Sequence, residues 1–321
     1  MNKSPIIIVA GEPFSVFLEI FFKSLKKISL KKPIVLIVSK KLLISQMKKF
    51  GFNFKINLVD KNQINLNLLS KNKINVINVN FNFSKPFDSI TSKSNYYIKE
   101  CFRIALKLLK DNKCAGLING PISKKHFLKR KFLGITEYLA NKTNRNNKVA
   151  MLIYNNKLSV STITTHLPLK EVYKNLSKKK IINNVKLINK FYKTKFKKKP
   201  KIAITGLNPH CESNYKISEE NNIIKPAIKY LIKKRFKVKG PFAADTIFMK
   251  EQSKQYNVII GMYHDQALTP IKTLFSFDAI NITLGLPFIR ISPDHGPNES
   301  MVGKNTSNPQ SLIQALKFLN K

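Results

Sequence analysis

Three of the five histidines, His166, His210 and His264, stand just past short apolar runs at 158–164, 201–205 and 258–261. Such runs read as buried strands of a parallel α/β sheet, where ligands bind beyond the carboxyl ends of the strands. Any one of the three could be structural; their recurrence at three strand ends points to a single site. They lie 44 and 54 residues apart, which excludes a local zinc finger, whose ligands are a few residues apart. A three-histidine set with an open position is instead a catalytic pattern, in which a metal keeps room for substrate oxygens. Asp265 beside His264, and Asp245 in the AADT run (243–246), could orient a ligand or accept a proton, or could be helix-cap and turn aspartates.

Lys272, Asn281 and Arg290 form a second cluster. Arg290 is one of only five arginines and sits in an otherwise apolar segment, where a guanidinium is costly unless it meets an anion. As a set the three would clamp a phosphate or carboxylate. No GxGxxG and no P-loop is present, so a dinucleotide would not be held by a Rossmann fingerprint. The turn-rich run SPDHGP (292–297) could approach a ligand closely or be a plain surface turn.

The elements that must position these groups alternate between strand and helix. Strands are expected at 5–10, 33–39, 74–83 and 114–118, ahead of the three histidine-bearing ones. Helices are expected at about 14–27, 40–49, 92–111 and 178–193, the third with a stripe through Ile98, Phe102, Ala105 and Leu109. No linker stands out, so two domains would have to be packed together or interwoven.

With 321 residues the chain can form one large or two medium α/β domains. The formal charge of +41 would ordinarily suggest nucleic acid, but it comes from 53 lysines beside 5 arginines, with 34 asparagines. Nucleic-acid readers lean on arginine; this bias reads as the drift of an A/T-rich coding sequence, and no specific nucleic-acid partner is expected. No run is long and apolar enough to span a membrane, and the first twenty residues lack a secretory pattern. Three cysteines without CxxC spacing suit a reducing compartment, so a cytoplasmic protein is expected.

The runs NGPISK (119–124), GITEYLA (134–140), TTHLPL (164–169), GLNPH (206–210), GPFAADTIF (240–248), YHDQALTPIK (263–272) and NITLGLPFIRISPDHG (281–296) resemble, in order, the 4-hydroxythreonine-4-phosphate dehydrogenase family. The resemblance implies an isocitrate/isopropylmalate-dehydrogenase-like α/β fold. It implies two α/β/α domains, 1–125 plus 265–321 and 126–264, with the active site in the cleft between them. It implies oxidation of 4-phosphooxy-L-threonine by NAD or NADP to a β-keto acid, which loses carbon dioxide to give 3-amino-2-oxopropyl phosphate in pyridoxal phosphate biosynthesis. It also implies one divalent metal per site (zinc, magnesium or cobalt) on His166, His210 and His264, and substrate contacts from Thr136, Lys272, Asn281 and Arg290. Asp245 and Asp265 are the catalytic carboxylates of this reading, and Asp294, His295 and Gly296 its cofactor contacts. A homodimer with sites shared across the interface is the expected assembly.

Two departures stand out. The family usually has histidine before the threonine of its G-H-T-E run, where this chain has Ile135, and two glycines of the family's G-D-P-A-G-I-G-P-E loop are Ser15 and Phe17 here. A dehydrogenase of the same fold acting on 4-phospho-threonate or 4-phospho-erythronate is the alternative.

Overall fold

The computed structural model describes residues 4–61, 65–111, 113–128, 131–132, 134–212, 218–276, 278–293 and 295–321. In chain order the elements open with β1 (Ile6–Val9), α1 (Phe17–Lys27), β2 (Ile34–Val38), α2 (Lys40–Lys49), β3 (Ile56–Leu58) and β4 (Ile74–Asn78). There follow α3 (Asn95–Leu109), β5 (Gly116–Asn119), α4 (Ile135–Lys142), β6 (Ala150–Tyr154), β7 (Ser159–Thr162), α5 (Leu169–Asn175) and α6 (Lys178–Phe196). The chain continues through β8 (Ile202–Thr205), α7 (Lys225–Lys233), β9 (Val238–Phe242), α8 (Lys250–Ser253), β10 (Val258–Gly261) and α9 (His264–Phe275). It ends with β11 (Ile280–Leu284), β12 (Arg290–Ser292) and α10 (Gln310–Asn320).

Two compact units result, Met1–Leu139 with Pro287–Lys321, and Ala140–Leu286. The edges differ from the expected 125/126 and 264/265. Residues 126–139 stay with the first unit, where Tyr138 packs on Phe102 and Phe127. Residues 265–286 go to the second, because α9 lies on β7 and β10 and β11 pairs with β6.

In the first unit six parallel strands run in the order β3-β4-β2-β1-β5-β12. The uninterrupted apolar runs of β1 and β2 are fully buried, as parallel strands covered on both faces require. The α3 stripe of Ile98, Phe102, Ala105 and Leu109 is buried, and the helix packs on β1, β2 and β5. The alternating run at 74–83 behaves differently from expectation: β4 stops at Asn78, and Phe81 and Phe83 pack with Phe14, Leu42 and Ile90. Asn75 faces inward on β4, yet its amide is satisfied: Nδ2 donates to Ile34 O and Ser70 O, and Oδ1 accepts from Asn57 Nδ2 and Ser70 N. A fully bonded buried amide costs little.

In the second unit the order is β11-β6-β7-β10-β8-β9. The strands β7, β10, β8 and β9 are parallel, while β6 runs antiparallel to both β7 and β11. The three histidine-bearing turns therefore follow three adjacent parallel strands, β7, β10 and β8, and emerge on one edge of the sheet. Among the described residues no helix is long and apolar enough to cross a membrane.

Candidate active site

In the second unit the turn after β7 is tied to the end of β10. The backbone N–H of Thr164 donates to Met262 O at 3.1 Å, and its hydroxyl to the same oxygen at 2.8 Å. Two residues on, His166 adopts a left-handed backbone (φ 54°) that turns the chain sharply. His264 opens α9 directly after β10, and the rings of His166 and His264 face one another at 5.8 Å between centroids. The Nδ1 of His264 lies 2.6 Å from Asp265 Oδ1, the carboxylate–imidazole contact that fixes ring orientation in metal sites and leaves Nε2 as the outward nitrogen.

The turn after β8 carries His210. His210 and Cys211 are both left-handed, at φ 56° and 61°. Glu220, fully buried, holds this turn. Its Oε1 accepts from the backbone N–H of Leu207 at 2.8 Å and of Asn208 at 2.9 Å, and its Oε2 from Asn208 Nδ2 and the Ser218 hydroxyl. Burial alone would raise this carboxyl, but the donated hydrogen bonds outweigh it and hold it below the usual carboxylate range. Gly206 is required here, since a Cβ would sit 2.7 Å from Cys211 Sγ. His210 is exposed, and among the described residues no group of three or more His, Cys, Asp or Glu is gathered closely enough to hold a metal. One chain thus brings His166 and His264 together, and among the described residues no third His, Cys, Asp or Glu joins them in a metal-holding group.

Asp245 is exposed in the turn after β9 and lies close enough to Cys211 to help Glu220 and burial push that thiol up. Lys272 is exposed on the last turn of α9. Asn281, half-buried on β11, has a shielded Oδ1 with no hydrogen-bond partner among the described residues.

In the first unit Arg290 begins β12 and is 1% exposed. Its Nε donates to Asn119 Oδ1 at 2.7 Å and its Nη1 to the Thr136 hydroxyl at 3.3 Å. Asn119 Nδ2 donates to Gly120 O at 2.8 Å, which fixes the amide with its oxygen toward the guanidinium. Burial pushes the guanidinium down to about 10, opposed by Glu137 in the first turn of α4. Arg290 and Thr136, each expected as a substrate contact, are hydrogen-bonded to one another; the supporting Asn119 was not read from the sequence, where it is one asparagine among many.

Beside this group lies a cavity of about 400 Å³ whose wall includes Asn119, Ser123, Lys124, Ile135, His295 and Gly296. Ile135 thus presents an apolar wall. His295 Nδ1 lies 3.2 Å from Gly296 O, and Asp294 falls outside the described residues. The altered 11–19 loop is packed behind the cavity. Glu12 N donates to Pro121 O and Val16 N to Pro297 O. Ser15 uses its hydroxyl locally, donating to Glu12 O and accepting from Phe17 N. Phe17 is buried against Phe21, its ring 6.4 Å from that of His295. The bulk that replaces two glycines is therefore absorbed by the core. Backbone closeness survives at Gly120, where a Cβ would lie 2.1 Å from Ala10 O.

Glu12 is 2% exposed, and neither carboxyl oxygen has a hydrogen-bond partner among the described residues. Burial pushes its carboxyl up to about 7; the Ser94 hydroxyl and Ser123 N–H lie near enough to soften the penalty, and Glu299 adds to it. The folded state then holds a proton that the unfolded state releases above about 4.5, so stability falls as pH rises from there through 7. Glu12→Gln is expected to raise stability at pH 8 by roughly 3 kcal/mol and to be neutral near pH 4, read by urea denaturation at both. Equal effects at the two pH values would exclude a neutral Glu12 carboxyl.

The model of the family described as "Pyridoxal phosphate biosynthetic protein PdxA" matches residues 29–319. A protein of Sulfurihydrogenibium sp. (strain YO3AOP1) named 4-hydroxythreonine-4-phosphate dehydrogenase is 38% identical over 97% of this chain and 96% of its own length. A protein of the same name from Aquifex aeolicus (strain VF5) is 32% identical over 99% and 98%. The crystal structure of 4-hydroxythreonine-4-phosphate dehydrogenase from Klebsiella pneumoniae superimposes with a TM-score of 0.84 at 28% identity, covering 99% of this chain and 97% of that one.

Proposed function

Because this chain belongs to the PdxA family of pyridoxal phosphate biosynthetic proteins, we propose that it oxidises 4-phosphooxy-L-threonine with NAD or NADP. The observation that carries this reading is the family match at 29–319 together with 38% identity to a named dehydrogenase over nearly the whole chain. The relatives' names favour this substrate over 4-phospho-threonate or 4-phospho-erythronate. The substrate carbon bearing the 3-hydroxyl gives up a hydride and its oxygen a proton; the resulting β-keto acid loses carbon dioxide and leaves 3-amino-2-oxopropyl phosphate.

The paired imidazoles of His166 and His264, with Asp265 on one of them, are a donor set suited to a divalent cation such as zinc, cobalt or magnesium. When bound, the cation acidifies a substrate hydroxyl and draws charge from a carbonyl, and the nicotinamide accepts hydride. Asp265 orients His264, and Asp245 is the proposed acceptor of the hydroxyl proton. Arg290 and Thr136 offer a bidentate cation and a hydroxyl to an anionic substrate group; Lys272 and Asn281 are the remaining proposed substrate contacts. The cavity beside Arg290, with Lys124, His295 and Gly296 on its wall, is the proposed place of the dinucleotide; Asp294, outside the described residues, is the remaining proposed cofactor contact.

His210 is proposed to complete the metal set from a second copy of the chain, in a cytoplasmic homodimer. Mixing inactive His210→Ala with inactive His264→Ala chains then restores one intact site in each mixed dimer. About a quarter of wild-type activity returns under random pairing. No recovery despite demonstrated subunit exchange would place all three ligands on one chain. The activity itself is tested by NAD(P)H formation from 4-phosphooxy-L-threonine, with and without chelator and beside 4-phospho-erythronate. Turnover of the second substrate alone would overturn the assignment.

A further inference from the structure

Gln266 sits two residues after His264, on the buried side of the first turn of α9. All its polar capacity toward the sheet is used on the ends of two neighbouring strands. Its Oε1 accepts from Met262 N at 2.7 Å, just past β10, and from the Thr205 hydroxyl at 2.8 Å, the last residue of β8. Its Nε2 donates to Gly206 O at 2.8 Å, the first residue of the turn that carries His210. The orientation of the amide is unambiguous, because a flip would set NH₂ against the Met262 N–H and the oxygen against the Gly206 carbonyl. One side chain therefore joins the turn that launches His264 to the turn that launches His210. Met262, which it grips, also receives both hydrogen bonds of Thr164 on the His166 turn.

We propose that Gln266 is a positioning residue that holds both histidine-bearing turns of one chain, the turn after β10 that sets His264 beside His166 and the turn after β8 that presents His210 to the second copy, and thereby sets the metal affinity of the sites to which they contribute. This inference rests on the reading of these histidines as metal ligands. Backbone hydrogen bonds within the sheet end at the strands. Beyond them the turn after β8 bends through left-handed His210 and Cys211 and is held on its own side by Glu220, while the turn after β10 runs extended into α9. What remains to be supplied is a constraint between the two turns. A buried amide bonded on three sides supplies the missing constraint, and groups behind metal ligands characteristically act in this way. Helix α9 gives the tie its rigidity, since His264 and Gln266 share its first turn.

The test uses the full-length protein and Co²⁺, whose visible absorption reports ligand geometry, with Zn²⁺ competition against a chromophoric chelator as the second readout. Gln266→Met keeps the volume and removes all three bonds; Gln266→Glu keeps the two accepted bonds and replaces the donation to Gly206 by a carboxylate oxygen set against that carbonyl. Gln266→Met is expected to weaken Co²⁺ binding about 10- to 100-fold and to alter the absorption spectrum, with a smaller loss in Gln266→Glu. Thermal unfolding of the metal-free proteins runs alongside. Unchanged affinity and spectrum in folded Gln266→Met and Gln266→Glu would overturn the proposal. So would losses that merely track the fraction unfolded, as a purely structural role requires. His264→Ala separates the two readings. If it binds Co²⁺ as tightly as the parent, the metal assignment falls and this inference with it; if it loses Co²⁺ while both Gln266 variants retain it, this inference alone falls.

Discussion

Replacing His264 by alanine is expected to lower kcat about a thousand-fold or more while leaving the fold intact. The side chain is 40% exposed and partnered by Asp265, so its removal opens no core cavity. The position opens a helix, where the end of the macrodipole favours negative charge, so the fold gains little from an imidazole there. Any large loss is therefore chemical. A cation that stabilises developing charge on substrate oxygens supplies several kcal/mol of barrier reduction, and each 1.36 kcal/mol is a factor of ten in rate. Chelation of the parent should reach the same floor, and His264→Ala should be insensitive to chelator. Asp265→Asn, which keeps a partner for Nδ1 but removes its charge, should lose about 10- to 100-fold. If His264→Ala keeps more than a tenth of parental kcat, or stays chelator-sensitive, the histidine pair is not the metal site.

The sequence displays this site unevenly, for reasons visible in particular residues. The strands β1, β2 and β10 were legible because strands covered on both faces carry unbroken apolar runs, and these three are buried at every position. Helix α2 was legible to the residue, Ser39 accepting from Leu42 N at its start. Arg290 announced itself as a lone guanidinium among apolar neighbours, and it is in fact 1% exposed. Glu220 and Gln266 could not be read, since most of what they hold is backbone: the N–H groups of Leu207, Asn208 and Met262 and the carbonyl of Gly206. Every residue has those groups, so no residue pattern marks them. The antiparallel pairing of β6 with β11 was hidden too, its partners lying more than a hundred residues apart, as in Ile153 opposite Asn281. That pairing also moved the unit boundary. At 79–83 alternation misled, because side chains alternate alike in a strand and in an extended segment docking Phe81 and Phe83 onto Phe14.

Arg290→Lys is expected to reduce kcat/KM for 4-phosphooxy-L-threonine about 100- to 1,000-fold, and Arg290→Met further. Truncating one partner of a buried, hydrogen-bonded charge contact costs roughly 2–5 kcal/mol, and lysine cannot reproduce the planar fork. The geometry makes the fork specific. Nε is committed to Asn119 and Nη1 reaches Thr136, so the guanidinium plane is set before any ligand arrives. That ordering was completed on folding, so little entropy is lost when an anion binds. Both variants risk structural damage, because both remove the Nε that Asn119 Oδ1 accepts from, and Arg290→Met also leaves Glu137 without its counter-charge. The decisive measurement is therefore a cycle with a second substrate rather than one rate. Non-phosphorylated 4-hydroxythreonine should be a poor substrate for the parent protein, since energy gained at a remote phosphate positions the reacting carbon and is spent in the transition state. In Arg290→Lys the gap between the phosphorylated and non-phosphorylated substrates should shrink by about the factor that the mutation costs on the former. Damage to the fold would lower both substrates alike and preserve the gap. A preserved gap thus removes Arg290 from the phosphate, and a gap that closes places the guanidinium on it.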